Sequence, residues 1–325
     1  MSIGSAASTA GGGAGTPRAE AFRALGVLCE PPAPGHARVC EALGLPGVPG
    51  AAEFTDLFVL HLYPYASVYL GADGMLGGEA RDRVAGFWRA LHLAPPPEPD
   101  HLAALLGLYA SLLEREDDER EPARRLLRGR ARAALLHEHL VSWLPPYLDR
   151  VEALAPRAYR AWAELLRAAL AEEAARTGEA VDSPAEARAA ALSAHLRAAP
   201  PLPDPRLEGS RGFVAGLLAP VRCGVILTRA DLARAARDLG LGLRVGERRF
   251  ALAALLSQAP EAVLGWLSGE ARAASARHAA HADVMGAAAR FWSDRAAGAA
   301  HLLSDLRASA AAAVEGDACA PAAGS

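Results

Sequence analysis

PPPEPDHLAALLGLYASLL (residues 95–113) has four prolines among its first five residues and continues as a helical pattern. Apolar side chains recur there at steps of three and four residues, the spacing of one face of an α-helix. This stripe consists of Leu102, Leu105, Leu106, Tyr109, Leu112 and Leu113. Such a stripe must be buried against other elements, so the stretch predicts an amphipathic helix inside a helical fold.

Asp100 and His101 stand side by side at the start of this helix. Aspartate is a favoured N-cap because its carboxylate accepts hydrogen bonds from backbone N–H groups that lack partners in the first turn. We therefore interpret Asp100 as the N-cap and His101 as the first helical residue. The positive end of a helix disfavours an imidazolium ion, which predicts a neutral His101 ring. Capping is sufficient to explain an aspartate at position 100, but it does not explain the histidine at position 101.

Composition extends the helical prediction to the whole chain of 325 residues. Hydrophobic residues make up 52% of the chain and aromatic residues only 6%, so alanine and leucine supply most of the apolar content. Both are strong helix formers, which predicts an all-α fold. The formal net charge of -3 provides no general attraction for nucleic acid.

Targeting and cysteine patterns predict a cytoplasmic protein. No segment approaches the roughly 20 apolar residues that span a bilayer, so stable membrane insertion is not expected. The N-terminal residues 1–17 lack the basic start and apolar core of a secretion signal. The cysteines form no CxxC pair, which predicts free thiols rather than a zinc site or a disulfide framework. They are Cys29, Cys40, Cys223 and Cys319.

Proline, glycine and charge patterns divide the chain into segments. Residues 1–17 and 311–325 are predicted to be disordered tails, and residues 18–177 a first helical domain. Residues 178–210 are predicted to form a short helix and a proline-rich linker, and residues 211–310 a C-terminal helical region.

Three features predict helix ends in the first domain. The charged run EREDDEREP, residues 114–122, predicts a solvated loop. Pro145 and Pro146 predict the end of the following long helix, and Pro156 predicts a kink within the next.

The histidines do not form a convincing metal-binding pattern. His137 and His139 are two residues apart on a predicted helix, so they point in different directions and cannot share one ion. His278 and His281 share a face, but no third ligand with suitable spacing completes the set. The chain also lacks GxSxG, HExxH and a Cys/His nucleophile pair, so we predict neither an enzyme nor a cofactor. A metal-dependent hydrolase is the least favoured alternative.

Residues 224–258 provide the main alternative function. Thr228 and Asp231 form a variant of the helix-start capping box, and the helix that follows is similar to the first helix of a DNA-binding helix-turn-helix. A helical DNA-binding transcriptional regulator is therefore the alternative. The acidic balance of the chain and the lack of a polar recognition helix at short spacing argue against it.

Three short segments are rich in aromatic residues and proline: residues 62–71, 86–88 and 142–148. Residues of this kind fill a core, or they form the walls of an apolar groove that receives a peptide. The residues alone leave both interpretations open.

The order of four motifs resembles the TorD/DmsD/NarJ family of chaperones for molybdoenzymes, over roughly residues 50–175. These motifs are Tyr-x-x-x-Tyr-Leu-Gly from Tyr65, Leu-Gly-Gly-Glu from Leu76, Pro-Asp-His from Pro99 and His-x-x-x-Trp-x-Pro from His139. The resemblance implies a TorD-like helical bundle, to which residues 211–310 add a helical region without a matching motif.

The resemblance also implies a function and a site. It implies a non-enzymatic chaperone that binds the twin-arginine leader or the immature catalytic subunit of a molybdopterin oxidoreductase before cofactor insertion and export. The peptide-binding residues that it implies are Asp100, His101, His139, Trp143, Tyr65, Tyr69, Phe87 and Trp88. Nucleic acid is not an expected partner, and the oligomeric state stays open, with a homodimer among the alternatives.

Overall fold

The structure, a computed structural model, describes residues 16–178 and 192–318. Every regular element in these residues is helical, which confirms the predicted all-α class. No helix in these two ranges is long and apolar enough to cross a membrane. The predicted tails and linker fall partly outside the described ranges.

The first part of the chain contains nine α-helices in the described residues. They are α1 Pro17–Val27, α2 His36–Ala42, α3 Ala51–Phe54, α4 Ala66–Leu70, α5 Gly78–Ala90, α6 Leu102–Asp117, α7 Pro122–Ala134, α8 Leu144–Leu154 and α9 Arg157–Gly178. Two π-helical segments, Thr55–His61 and Leu135–Leu140, continue α3 and α7.

The later part is also helical from residue 194 onwards. Its helices are α10 Ala194–Ala198, α11 Pro205–Glu208, α12 Ser210–Leu217, α13 Pro220–Cys223, α14 Arg229–Asp238, α15 Arg248–Gln258, α16 Pro260–Ala279 and α17 Ala282–Ala318. A kink at Gly286, where φ is 50°, interrupts α17. The helix continues past residue 310 through an alanine-rich run, as the helix propensity of alanine favours.

The stripe of α6 is the centre of a first hydrophobic core. All six of its predicted members are buried, which confirms the helical pattern. Helix α6 packs against α1 and α7, and Phe22 of α1 lies 4.7 Å from Tyr109 between ring centroids. Leu102 and Leu106 are fully buried.

Helices α12 to α17 build a second core, and α17 also packs against the first. Trp292 of α17 is buried in the first core and donates a hydrogen bond from Nε1 to the Ser142 carbonyl at 2.8 Å. Arg150 of α8 pairs with both carboxylate oxygens of Asp231 at 2.7 Å. Asp231 also completes the predicted capping box with Thr228. These contacts join the two cores.

Three predicted helix ends are wrong. Pro145 and Pro146 lie in the first turn of α8 rather than at the end of the preceding helix. Pro156 separates α8 from α9 instead of kinking one helix. The charged run after Leu113 stays helical to Asp117, so the loop is shorter than predicted. The reason for the proline errors is that proline is tolerated at a helix start, where its missing N–H has no partner to lose.

A buried ion cluster lies at Glu173 of α9. The side chain of Glu173 is 3% exposed and pairs with Arg18 at 2.7 Å and Arg132 at 3.0 Å. The Tyr109 hydroxyl donates a hydrogen bond to the same carboxylate at 2.7 Å. The cluster therefore ties α1, α6, α7 and α9 together through one charge.

Candidate functional site

Two of the sequence motifs are joined by backbone hydrogen bonds. The Ala66 N–H donates to the Asp100 carbonyl at 3.0 Å, and the Leu102 N–H donates to the Pro64 carbonyl at 2.8 Å. Tyr65 and His101 thus face each other in an isolated antiparallel bridge. The tyrosine motif and the Pro-Asp-His motif therefore form one structural unit.

Asp100 does not cap the helix that follows it, so this interpretation is wrong. Its side chain is buried, and Oδ2 accepts a hydrogen bond from the Ser67 N–H at 3.1 Å. Ser67 lies in the first turn of α4, so Asp100 caps a helix that precedes it in the chain. The carboxylate reaches that helix because the backbone bridge holds the two segments side by side. Asp100 is 2% exposed, which makes it a positioning residue for the bridge.

His101, rather than Asp100, is the N-cap of α6. Its Nδ1 accepts a hydrogen bond from the Ala103 N–H at 3.2 Å, so Nδ1 carries no proton. Burial lowers the pKa of His101, against the opposing influence of nearby carboxylates. The ring is therefore neutral, as predicted, and packs edge-on against Tyr65 with centroids 4.7 Å apart. Histidine can take this position because a ring nitrogen replaces the usual oxygen acceptor.

Glu98 is an exposed carboxylate beside this pair. The Tyr65 hydroxyl donates a hydrogen bond to Glu98 Oε2 at 2.8 Å. Burial, followed by this hydrogen bond to Glu98, raises the pKa of Tyr65, so the phenol stays protonated. Trp88 of α5 donates from Nε1 to the Pro99 carbonyl at 3.4 Å, which fastens the proline-rich loop to α5. We call Tyr65, Trp88, Glu98 and His101 the aromatic patch.

Phe87 connects α5 to a buried histidine pair. Its ring lies 4.9 Å from that of His139 between centroids. His139 Nδ1 is 3.2 Å from His195 Nε2, a hydrogen-bonding distance between two buried rings. Burial lowers the pKa of His139 to about 3 and that of His195 to about 4. Both rings are therefore neutral at pH 7, and His195 has no neighbouring sequence signal that predicts this contact.

Tyr69 and Trp143 lie in the first core behind the patch. Their rings stack at a centroid distance of 5.2 Å and an interplanar angle of 8°. Trp143 is fully buried and donates from Nε1 to the His139 carbonyl at 2.8 Å. Tyr69 donates from its hydroxyl to the Tyr63 carbonyl at 2.9 Å. The structure thus buries these two rings, whereas Tyr65, Trp88 and His101 of the patch are half-buried and Glu98 is exposed.

Acid should weaken the fold through the histidine pair. The folded pKa values lie below the ordinary value of 6.5, so as pH falls the unfolded chain binds protons first. The contribution of this pair to the free energy of unfolding is fully present above pH 6.5. It decreases as pH falls below that value, and the decrease stops near the folded pKa values. At pH 5, one such histidine lowers the free energy of unfolding by about 2 kcal/mol, because the loss is about 1.4 kcal/mol for each pH unit below 6.5.

Between pH 7 and pH 5, the free energy of unfolding should fall in both the wild type and His195→Gln. We expect the fall to be about 2 kcal/mol smaller in His195→Gln, because glutamine does not titrate. Urea unfolding at both pH values measures the difference. His301→Gln is the matched control, because this ring is on α17 and 82% exposed. Equal losses in His195→Gln and the wild type would contradict the prediction.

Removing the Asp100 carboxylate should weaken the bridge between α4 and α6. Asp100→Ala leaves the buried Ser67 N–H without its acceptor, and we expect a loss of about 1–2 kcal/mol in the free energy of unfolding. Asp82→Ala on α5 is the control, because the Asp82 side chain is 72% exposed. An Asp100→Ala variant as stable as this control would show that the cap contributes nothing.

The structure does not bring together a metal site among the predicted histidines. His278 and His281 both approach Asp149 of α8, at 3.9 Å and 2.9 Å, which the spacing alone did not reveal. His137 lies apart from His139 and contacts the Thr177 hydroxyl at 3.0 Å. Within residues 16–178 and 192–318, no group of three histidine, cysteine or acidic side chains is arranged to hold a metal ion.

The DNA-binding alternative also lacks support from the helix pair on which it depends. Residues 239–247 separate α14 from α15, whereas a helix-turn-helix joins its helices through roughly 3–4 residues. Leu252 and Leu255 of α15 are fully buried in the second core. The face of α15 that contains these two leucines is therefore not available for contact with DNA.

The fold and the site define an all-helical protein with a neutral histidine, a carboxylate and aromatic rings at one surface. Residues 50–149 match the family model described as nitrate reductase delta subunit. Two curated relatives called Chaperone protein TorD, from Vibrio vulnificus strains YJ016 and CMCP6, are each 32% identical over 111 residues. The match covers 31% of this chain and 50% of each relative.

The chain thus spans about half the length of the curated relatives that it matches. No solved structure matches it. The predicted resemblance to the TorD/DmsD/NarJ family is confirmed for residues 50–149, which are similar to this family. The aromatic patch lies within these residues, whereas the second core lies outside them.

Proposed function

We propose that this chain is a molecular chaperone that binds the leader peptide or the immature form of a molybdopterin-dependent oxidoreductase. It would assist cofactor insertion and assembly in the cytoplasm before export. The observation that carries the proposal is the aromatic patch, because it lies in the segment that matches the family model and joins Tyr65 and His101 from two of the motifs.

The chemistry of the patch fits an arginine-containing leader. One oxygen of Glu98 accepts from Tyr65, and the exposed carboxylate retains capacity for a guanidinium group. Tyr65 and Trp88 provide aromatic surfaces for cation–π contact and for apolar side chains. The neutral His101 ring, whose Nδ1 is occupied as an acceptor, donates through Nε2. The patch thus combines an anionic anchor, a hydrogen-bond donor and apolar area.

The patch is also held in place before any ligand arrives. The backbone bridge fixes Tyr65 against His101, and Trp88 fastens the loop at Pro99. Arg81 donates to the Pro97 carbonyl at 3.0 Å and fixes the same loop from α5. A surface that is already ordered loses less conformational freedom on binding, which favours recognition of a short peptide.

This proposal assigns no reaction and no cofactor to the chain itself. A holding chaperone must release its client, so the peptide affinity should be moderate. A micromolar dissociation constant, about -8 kcal/mol, meets that requirement.

The test is co-purification of the tagged chain from its native host under conditions of molybdoenzyme synthesis. We expect mass spectrometry to identify the catalytic subunit of a molybdopterin oxidoreductase that still carries its leader. Retention of the mature enzyme alone, or of no such subunit, would refute the proposal. A gel-shift assay with genomic DNA fragments tests the alternative regulator, for which we expect no salt-dependent binding.

A further inference from the structure

The second core carries a groove that the proposed function does not use. It lies between α12 and α15, outside the residues that match the family model, and has a volume of about 500 Å³. The residues that form its walls and rim include Arg211, Phe213, Val214, Arg249, Phe250 and Leu256. The two helices thus enclose an apolar floor with arginines beside it.

Phe250 is exposed at the edge of this groove. Its side chain is 52% exposed, although Leu252 and Leu255 on the same helix are fully buried. Three other groove residues of α15 are spaced at steps of four and three, namely Arg249, Ala253 and Leu256. One continuous face of α15 therefore lines the groove. A large aromatic side chain left in water next to an apolar floor is typical of a docking surface.

The charged side chains that line the groove are both basic. Arg211 and Arg249 are exposed, and neither forms an ion pair with any residue in the described ranges. The Arg249 guanidinium lies 5.1 Å from the Phe250 ring centroid. Glu208 and Glu247 are nearby in sequence, but no acidic side chain lines the groove. The lining is therefore basic and apolar in a chain whose net charge is -3.

We propose that this groove docks an amphipathic helix of a protein partner that carries acidic residues beside its apolar face. The apolar face would cover Phe250 and Leu256, and the carboxylates would pair with Arg211 and Arg249. A helix is the occupant that fits, because a groove between two helices accepts a third helix, and the described residues offer no β-strand edge for an extended peptide.

An anionic membrane also attracts basic and apolar surfaces, but the geometry favours a helix. Membrane-binding faces insert as convex, amphipathic helices rich in basic residues. Here the apolar residues line a concave groove between two helices, with two arginines in its lining. The proposal does not depend on leader binding, because none of its residues belongs to the aromatic patch.

The test uses two synthetic helical peptides of about 16 residues, long enough to extend along both groove helices. Leucines occupy one face at steps of three and four, and glutamates flank them in the first peptide, whereas lysines replace the glutamates in the second. By fluorescence anisotropy, we expect the full chain to bind the glutamate peptide at about 10–100 µM, a weak affinity for a small interface. We expect this affinity to be at least tenfold tighter than that for the lysine peptide, from charge complementarity at the groove.

Variants assign the binding to the groove. Arg211→Ser with Arg249→Ser should abolish the preference for the glutamate peptide, and Phe250→Ser should weaken binding of that peptide by about tenfold. Arg237→Ser is the matched control, because Arg237 is an exposed arginine of α14 that does not line the groove. Thermal melting of each variant verifies folding.

Equal affinity for the two peptides, no binding of either, or unchanged binding by the double arginine variant would overturn the proposal. Vesicles that contain phosphatidylserine provide the remaining comparison. Binding to these vesicles without binding to the glutamate peptide would assign the surface to membranes and would also overturn it. None of these results depends on recognition of a twin-arginine leader.

Discussion

Glu173→Leu lowers the free energy of unfolding by about 3 kcal/mol, because the substitution removes the shared partner of a buried ion cluster. The Arg132 guanidinium, 11% exposed, loses its contact with Glu173 at 3.0 Å. The Tyr109 hydroxyl loses its acceptor at 2.7 Å. Urea unfolding of the wild type and the variant measures the loss.

Two further variants separate this cluster from a general effect of α9. Glu172→Leu alters a neighbouring residue whose side chain is 63% exposed, and should change stability by less than about 0.5 kcal/mol. Arg132→Leu combined with Glu173→Leu should lose less stability than the sum of the single variants, because each single variant already loses the contact between these two side chains. Additive losses, or a Glu173→Leu variant as stable as Glu172→Leu, would contradict the cluster's role.

Tyr65→Ala with Glu98→Ala should weaken leader binding by about 30-fold or more, equivalent to about 2 kcal/mol. The double variant removes the half-buried Tyr65 ring, which packs against the first core, and the exposed Glu98 carboxylate. Isothermal titration calorimetry measures the change with a synthetic twin-arginine leader peptide from a molybdopterin oxidoreductase of the same genome. Asp82→Ala supplies an exposed acidic control.

His101→Asn separates recognition from helix capping at the same site. Asparagine is a good N-cap residue, so it preserves the acceptor for the Ala103 N–H while it removes the imidazole ring. We expect weaker leader binding at nearly unchanged stability. If the Tyr65/Glu98 double variant binds the leader as tightly as Asp82→Ala does, the aromatic patch is not the binding site.

The sequence predicted the fold class and the α6 stripe because these depend on local periodicity. Leucines at helical spacing bury one face whatever the neighbouring helices are. Helix boundaries were less predictable at Pro145, Pro146 and Pro156. A proline ends one helix or begins the next with similar ease, and tertiary packing decides between the two.

The site was predictable only in part, for a related reason. The motifs contain Tyr65 and His101, which the structure brings together in one bridge, but the Asp100 carboxylate turns away from its own helix to cap α4. The contact between His139 and His195 joins residues 56 positions apart in the chain. No local pattern encodes such a contact. The structure therefore separates the buried Tyr69 and Trp143 from the half-buried Tyr65, Phe87, Trp88 and His101, which local sequence patterns could not do.

Calorimetric titration of the wild-type chain with the twin-arginine leader peptide tests the proposed function most directly. We predict one binding site per chain with a micromolar dissociation constant, about -8 kcal/mol. A second peptide, in which both arginines are replaced by glutamine, should bind at least tenfold more weakly, because it loses the charge-assisted contacts with Glu98. No heat of binding with the leader, or equal affinity for the two peptides, would contradict the proposed recognition.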